Sequence, residues 1–485
     1  MSSAHDLRRH DHPAPASDSL WSPDRRALTI GLVLTITLVA FEALAVSTVM
    51  PTVARELGGL ELYGWVFSAF FLGSLIGIVI VGGAIDRRGL ALPFAIGLGL
   101  FGIGLLVGGL APSMPVLVGA RFVQGLGAGT IPPIAYVAIG RSLPERLRPR
   151  MFATMSTAWI LPGVLGPAIA ATVGQTLGWR YVFLGLLPLI GLAGALTLGA
   201  LRAVVTAPAN RAAEAGASAA DRARLPLAIL VAVGAGLVTL GLTSGEPIPT
   251  VLLIGLGLPI GIHALRRLTP AGTLRARPIL PAAILLRGIL TFMFFGVDVF
   301  VPLALVEWRG LSLTESGIAL TVATVVWTAG SWVQARGATR WSSYRFVQAG
   351  FAVALIGLAC FMLVLRQDVS WLVAIPTFAL AGFGMGLAYS PLALIVLREA
   401  TPENHGSASS ALSLTDSLGT ALGTGVAGAI IAAGVRANGQ PVPGLAIAFA
   451  VALAVGFGGL LLTVRLHRRP AVLRAGVPAT ATPPT

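Results

Sequence analysis

Long apolar runs separated by short polar breaks dominate the chain. Each run holds about 20 predominantly apolar residues, the length with which one helix crosses the hydrocarbon core of a bilayer. Six runs come first, two follow a charged, alanine-rich segment, and six more complete the chain. The pattern predicts an all-α polytopic membrane protein whose fourteen transmembrane helices cover residues 27–50, 63–84, 90–111, 115–140, 150–173, 178–201, 226–244, 247–264, 281–305, 312–334, 345–365, 370–397, 407–433 and 443–464.

Composition supports a membrane protein and excludes a soluble one. Of 485 residues, 55% are hydrophobic and only 11% are charged, and the mean hydropathy is +0.87. A chain this apolar cannot cover a soluble surface. The net charge of +14 does not indicate nucleic acid, because the arginines flank the apolar runs. With the N-terminus inside, most arginines fall in cytoplasmic segments, so the positive-inside rule places both termini in the cytoplasm.

The two six-helix groups are an internal repeat. The segment "GLGAG" at 125–129 recurs 257 residues later as "GFGMG" at 382–386, and Glu42 recurs 256 residues later as another acid, Asp298. Two parallel repeats imply a substrate site at their interface, near the bilayer midplane. The two middle helices then form an insertion between the repeats, and the sequence does not assign them a role.

The repeat and the breaks between runs divide the chain into seven parts. In chain order we predict a disordered cytoplasmic tail at 1–26, an N-terminal six-helix bundle at 27–201, a cytoplasmic linker at 202–225, an inserted transmembrane hairpin at 226–264, a cytoplasmic loop at 265–280, a C-terminal six-helix bundle at 281–465 and a cytoplasmic tail at 466–485.

Four short segments resemble motifs of the major facilitator superfamily. "GGAIDRRG" (82–89) resembles the loop motif between helices 2 and 3, and "RFVQGLGAG" (121–129) resembles the fourth-helix motif. "LPGVLGPAIAA" (161–171) keeps the Gly-Pro core of the fifth-helix antiporter motif, and "FEALAVSTVMPTVARELG" (41–58) is similar to the first-helix signature of fourteen-helix drug:proton antiporters. The resemblance covers residues 25–466 and implies the major facilitator fold, with two pseudo-symmetric six-helix bundles, and proton antiport.

Two charged residues lie at matching depth within the apolar runs. Arg121 is about six residues, roughly 9 Å, below the outer end of helix 4, and Glu42 is about eight residues, roughly 12 Å, below that of helix 1. If both helices face one cavity, as the resemblance implies, the two groups can meet directly, through Gln124 or through a water. A charge at the bilayer centre costs at least ~2.5–3.5 kcal/mol, so it tends to be paired and functional.

These residues form a candidate proton switch. Burial and a nearby guanidinium act oppositely on a carboxyl group, so a change of environment can make Glu42 take up or release a proton. We expect that protonation from outside and substrate binding compete at Glu42. The alternative is that Arg121 snorkels to the outer interface and only stabilises the fold.

Two further acids are candidates for proton coupling. Asp298 lies in helix 7 at the repeat-equivalent depth of Glu42, where a coupling or cation-binding role is open. Asp416, in the inner half of helix 11, is either a second proton site or a hydrogen-bonded structural acid. Arg287 lies about 16 Å from Asp298 along helix 7, so we expect it to snorkel inward instead of pairing with that acid.

The resemblance also assigns residues to conformational roles and to the cavity. Its loop acid would lie near the N-terminus of helix 11 and latch the cytoplasmic face; a solvated turn is the alternative. The predicted latch residues are Gly82, Asp86, Arg87 and Gly89. The predicted helix-packing or hinge residues are Gly125, Gly129, Gly163, Gly166 and Pro167. The candidate substrate-cavity residues are Gln124, Trp159, Trp327 and Tyr389, of which the aromatic ones could instead anchor at the interface.

Other functional classes lack the residues that they need. No histidine lies deep in a run and no His/Asp/Glu cluster has metal-ligand spacing, so we expect neither a membrane enzyme nor a metal site. The chain has no lysine and therefore no Walker motif for ATP, and a channel would need filter residues from several subunits. The single Cys360 cannot form an intrachain disulfide. We expect no cofactor and no nucleic-acid partner, and a monomer.

Together the patterns predict a proton-coupled secondary transporter of the cell membrane that exports lipophilic small molecules by alternating access, as in multidrug efflux. The partners are then the substrate, protons and the lipid bilayer. The apolar segments 289–301 and 378–390 of helices 7 and 10 favour lipophilic cargo, neutral or cationic. Export of an endogenous lipid or metabolite stays open, as does proton-coupled uptake of a nutrient.

Overall fold

The chain forms a bundle of helices. The computed structural model describes residues 19–23, 25–144, 147–203, 211–338, 340–400 and 405–467. Within these residues there is no β-strand, and the α-helices are α1 (Arg26–Leu57), α2 (Tyr63–Arg88), α3 (Ala91–Gly109), α4 (Met114–Ser142), α5 (Arg148–Thr157), α6 (Ile160–Thr176), α7 (Arg180–Leu184), α8 (Leu186–Ala203), α9 (Arg211–Ser244), α10 (Pro247–Leu268), α11 (Leu280–Asp298), α12 (Leu313–Gly337), α13 (Ser343–Phe361), α14 (Ala374–Glu399), α15 (His405–Asn438) and α16 (Val442–Leu462).

The helices confirm an all-α, multi-pass membrane protein. Thirteen helical segments among the described residues are long and apolar enough to cross a bilayer. The remaining predicted run, 150–173, is divided between α5 and α6. Pro162 explains the division, because it has no N–H to donate to the carbonyl of Ala158, and a proline is tolerated in the first turn of a new helix.

Helix 7 of the predicted order is also divided. Helix α11 ends at Asp298, and the chain continues through Pro302 into a π-helical segment, Leu303–Trp308. A proline at 302 cannot donate to the carbonyl four residues earlier, which is that of Asp298. The break therefore places a carboxylate at the end of a helix within the membrane region.

Several element ends differ from the sequence-based prediction. Helix α1 continues to Leu57, beyond the predicted end at residue 50, and α9 begins at Arg211, inside the predicted linker. The tails at residues 1–18 and 468–485 lie outside the described residues, as do linker residues 204–210. The predicted division into seven parts stays a prediction.

The two six-helix groups pack in the same way. In the first group α4 packs on α2 and α3, and α1 packs on α6 and α8; in the second, α14 packs on α12 and α13, and α11 packs on α15 and α16. The third and last helices of each group also contact each other, α3 with α8 and α13 with α16. The repeat seen in the sequence is thus a repeat of helix neighbours.

Repeated glycines explain how α4 and α14 each touch two neighbours. A Cβ atom on Gly125 would lie 2.0 Å from the Phe70 carbonyl oxygen of α2, and one on Gly127 would lie 2.3 Å from a carbonyl oxygen of α3. The equivalent atoms on Gly382 and Gly384 would lie 2.4 Å from backbone atoms of α12 and α13. Glycines at every second position therefore allow backbone contact with one neighbour and then the other.

The two groups meet along two seams, α2 with α15 and α6 with α12, and the hairpin helix α9 packs on both α2 and α15. At the end of the bundle where α1 ends, which we call the sealed end, several contacts join the groups. Tyr63 donates its hydroxyl to the Val299 carbonyl at 3.3 Å, and Arg55 Nε lies 2.9 Å from Glu307 Oε1. The groups are thus held together at this end.

Towards the opposite end, polar side chains of both groups are partly exposed. Tyr136 of α4 is 55% exposed and lies on the side of α4 nearest Arg287 and Asp416 of the other group. The side chain of Asp416 is 28% exposed. The structure is therefore closed at the sealed end and more open at the other.

Candidate functional site

An enclosed ion pair joins helices α1 and α4. Nη1 of Arg121 donates to Glu42 Oε1 and also, over 2.7 Å, to Gln124 Oε1, while its Nε donates to the Val66 carbonyl at 3.2 Å. The guanidinium carbon lies 4.3 Å from the centre of the Phe70 ring. Arg121 is only 2% exposed, and Glu42 and Gln124 are fully buried. Arg121 therefore pairs inside the bundle and does not snorkel to an interface.

The helical spacing positions this cluster. Arg121 and Gln124 are three residues apart on α4 and so share one face, and that face meets α1 at Glu42. Two atoms of the cluster, Glu42 Oε2 and Gln124 Nε2, have no hydrogen-bond partner among the described residues. A buried polar atom left unpaired costs about 1–3 kcal/mol. One carboxylate oxygen can thus accept a proton, or a hydrogen bond from a ligand.

A second ion pair lies in the other six-helix group. Nε of Arg287 on α11 donates to Asp416 Oδ1 on α15 at 2.7 Å, and its Nη1 donates to the Tyr389 carbonyl of α14 at 2.6 Å. The Tyr389 hydroxyl donates to Asp416 Oδ2 at 3.0 Å. The expectation that Arg287 snorkels inward is wrong, because a carboxylate on the neighbouring helix lies within hydrogen-bond distance. Asp416 is hydrogen-bonded, to these two residues.

Asp298 is separate from both pairs. It is the last residue of α11 and is partly buried, and among the described residues no side chain forms an ion pair or hydrogen bond with it. It does not pair with Arg287, as its distance along the helix predicts. Its role in proton coupling or cation binding stays a prediction.

An aromatic cluster lies beside the second ion pair. Trp327 contacts the rings of Phe294, Phe295 and Tyr389, with centroids 5.5, 6.3 and 5.6 Å away, and Phe294 stacks on Phe378 at 5.6 Å. The cluster therefore joins helices α11, α12 and α14. It offers ring faces and edges on which a flat or cationic apolar molecule can stack.

The other candidate cavity residues lie elsewhere. Gln124 has no exposed surface in this conformation and belongs to the Arg121 cluster. Trp159 is 49% exposed and precedes α6 at the break in the predicted fifth helix. Of the four candidates, only Trp327 and Tyr389 are in direct ring contact.

The predicted hinge residues form close helix contacts. On the seam between the groups, a Cβ on Gly163 would lie 2.3 Å from a Thr324 side-chain carbon, and one on Gly317 would lie 3.2 Å from Pro167. Gly166 faces α1 instead, with more space. Gly125 and Gly129 touch the backbone of α2. The structure thus gives Gly163 and Pro167 a place at the interface that alternating access would have to rearrange.

The predicted latch is only partly described. The side chains of Asp86 and Arg87, and the surroundings of Gly82, lie outside the part of the chain that the structure describes. Gly89 follows the end of α2 with φ of +68°, a left-handed conformation that favours glycine. The latch role of these residues stays a prediction.

Relatives with known names share most of this chain. A Mycobacterium tuberculosis protein named a probable multidrug-efflux transporter is 26% identical over 423 residues, which are 84% of this chain and 88% of that protein. The methylenomycin A resistance protein of Streptomyces coelicolor is 26% identical over 461 residues, 93% of this chain and 94% of that protein.

Solved structures share the fold. An auto-inhibited peptide transporter of the POT family aligns with a TM-score of 0.65 at 15% identity, covering 93% of this chain and 99% of its own. The xylose transporter XylE from E. coli aligns with a TM-score of 0.60 at 13% identity, covering 92% and 99%. Residues 32–424 match the profile of the Major Facilitator Superfamily. The chain belongs to the Major Facilitator Superfamily and is a multi-pass membrane transporter, not an enzyme.

Proposed function

We propose that the protein exports lipophilic small molecules from the cell in exchange for protons, by alternating access between two six-helix bundles. The observation that carries the proposal is the enclosed cluster of Glu42, Arg121 and Gln124, in which one carboxylate oxygen lacks a partner. An ionisable group at membrane depth marks a proton or substrate path by default. The names of the relatives, a multidrug-efflux transporter and an antibiotic resistance protein, support export of foreign or toxic compounds.

The cluster can couple a proton to movement of α1. Arg121 has partners that do not depend on Glu42, namely Gln124, the Val66 carbonyl and the Phe70 ring. A proton on Glu42 removes its charge and weakens its attraction to Arg121, while the guanidinium keeps these other contacts. Protonation then lets α1 move away from α4, while the other contacts of Arg121 stay in place. Since α1 packs on α6 at one seam, its release is transmitted to the interface between the bundles.

The second group supplies the features of a binding wall. The cluster around Trp327 offers aromatic faces, and Asp416 presents a partly exposed carboxylate beside them. The aromatic faces favour an apolar molecule, neutral or cationic, while the charge of Asp416 is already balanced by Arg287. We assign the sealed end to the extracellular side, following the positive-inside prediction, so that the more open end receives cargo from the cytoplasm.

Inside-out vesicles test the proposal. Respiration acidifies the vesicle interior, and a fluorescent dye reports the pH gradient while lipophilic cations and neutral drugs are added. We expect substrate-dependent loss of the gradient with the wild type and none with Glu42→Gln or Arg121→Ala. Glu246→Gln is the matched control, because Glu246 is an exposed residue preceding α10, and it should behave as the wild type does.

Each deviation from this result has a defined meaning. Retained proton exchange in Glu42→Gln would refute Glu42 as the coupling acid and direct the next variants to Asp298 and Asp416. No response to any compound in the wild type would refute lipophilic drug export and leave the other cargo classes, endogenous lipids, metabolites or nutrients, to be tested.

A further inference from the structure

The inserted hairpin encloses a crevice that lies away from both ion pairs. It is small, with a volume of about 80 Å³, and opens near the start of the apolar part of α9 and the end of α10, away from the sealed end. Its walls come from both six-helix groups and from the hairpin. The apolar walls are Leu75, Ile78, Val79, Leu268 and Leu414, and the polar lining residues are Arg224 and Ser410.

The arginine in this crevice has no counter-charge among the side chains that the structure describes. Arg224 is partly buried, and among the described residues it makes no ion pair, hydrogen bond or ring contact. Arg266 and Arg267, in the last turn of α10, are exposed at the same end of the hairpin. The hairpin therefore places positive charge at the mouth of an apolar crevice, at the ends of the candidate membrane spans Arg224–Ser244 and Pro247–Leu268.

We propose that this crevice binds one anionic phospholipid of the bilayer, with its phosphate on Arg224 and the first carbons of an acyl chain against α2 and α15. Basic pockets between transmembrane helices on the cytoplasmic side are suited to anionic headgroups, and apolar walls are suited to acyl carbons. Ser410 can donate a hydrogen bond to the headgroup. An arginine at the mouth opposes entry of a lipophilic cation, which separates this site from the proposed export path.

The site has a consequence for the hairpin. Leu75 and Val79 belong to the first six-helix group and Leu414 belongs to the second, so one acyl chain touches both. The affinity for the lipid then depends on how the α2–α15 seam is arranged, and a bound lipid favours the arrangement seen here. The hairpin thus packs over the α2–α15 seam and completes a lipid-binding site there. This inference does not depend on proton coupling or on the cargo.

Native mass spectrometry of the full chain tests the proposal. The protein is purified in a neutral detergent and mixed with phosphatidylglycerol or phosphatidylcholine at equal concentration. We expect the wild type to retain one phosphatidylglycerol in preference to phosphatidylcholine, and Arg224→Gln to lower that occupancy about fivefold, the effect of one arginine near a bilayer surface. Arg398→Gln removes one exposed charge from α14, outside the crevice, and should change nothing.

A second variant tests the crevice separately from its charge. Ser410→Trp fills the space with an indole while keeping Arg224, and we expect it to lower the retention of phosphatidylglycerol as well. Equal retention of the two lipids by the wild type would overturn the proposal, as would equal losses in Arg224→Gln and Arg398→Gln. Displacement of the lipid by glycerol 3-phosphate would also overturn it, since a soluble phosphate would then suffice. None of these readouts uses transport, so they stand apart from the vesicle assay.

Discussion

Replacing Gly125 with alanine should separate helices α4 and α2. The new Cβ atom would lie 2.0 Å from the Phe70 carbonyl oxygen and 2.7 and 2.9 Å from the carbonyl and α carbons of that residue. All three are backbone atoms, which no rotamer change can move aside. Restoring ordinary contact distances requires the helices to part by at least about 1 Å, and overpacking of this kind costs typically 1–3 kcal/mol. We expect the upper part of that range.

The same displacement should disturb the Arg121 cluster. Nε of Arg121 donates to the Val66 carbonyl of α2 across 3.2 Å, and a shift of 1 Å would break that bond. Gly125→Ala should therefore lower transport as well as stability. For one six-helix group unfolding as a unit, a loss of 2–3 kcal/mol corresponds to a fall in melting temperature of roughly 5–10 °C.

Thermal unfolding in detergent, followed by tryptophan fluorescence, measures this effect. Gly119→Ala is the matched control, because a Cβ on Gly119 of the same helix meets no atom within 4 Å, and alanine is the better helix former. Gly382→Ala, the repeat equivalent in α14, should cost as much as Gly125→Ala. Melting temperatures of Gly125→Ala and Gly119→Ala that agree within 1–2 °C would refute the argument from backbone contact.

Three further predictions address charged residues. Arg121→Ala should destabilise the protein by about 3–5 kcal/mol, because it leaves the buried Glu42 carboxylate without a counter-charge. The double variant Glu42→Leu, Arg121→Met should be nearly as stable as the wild type. Equal unfolding temperatures of the two variants would contradict this. Arg55→Glu should weaken the contacts at the sealed end and raise the population of molecules open at that end by up to about fivefold. Spin labels at the sealed end should then report longer distances, and adding Glu307→Arg should reverse the change. Unchanged distances would rule out a sealing role. The guanidinium of Arg366 holds the pKa of Asp368, which lies outside the membrane spans, below its usual value, so any stability from this exposed pair is present above about pH 4 and lost as pH falls further. The offset in melting temperature between Asp368→Asn and the wild type should thus be constant from pH 5 to 8, and an offset that changes within that window would argue against the pairing.

Depth along a helix was readable from the sequence, and it placed Arg121 against Glu42. Both residues are isolated charges in apolar runs, and the resemblance supplies the information that helices 1 and 4 are neighbours. The repeated glycines were also readable, because contact between helix backbones in lipid requires small residues at fixed spacing. The spans and the repeat followed from these regularities, and the resemblance implied the fold.

The pairing of Arg287 with Asp416 was not predicted. Depth along helix 7 says nothing about its neighbours, and no local signal in the sequence tells that α15 brings a carboxylate to α11 from 129 positions later in the chain. Matching every charge within the spans against every other would have found it, since an unpaired charge there is costly. The breaks before α6 and after Asp298 were missed for a related reason, because hydropathy counts a proline as one more residue of an apolar run.

The ion pair between α1 and α4 also constrains how the protein is made. Glu42 emerges from the ribosome 79 residues before Arg121, an interval of about 4–16 s at typical rates of synthesis. During this time the first helix carries an unmatched acid, which costs ~2.5–3.5 kcal/mol in the centre of a bilayer. The nascent chain therefore gains from keeping α1 beside the insertion machinery until α4 arrives, so that helices leave it as an assembled, charge-balanced group. The order of biogenesis is then set by side-chain chemistry as well as by the order of synthesis.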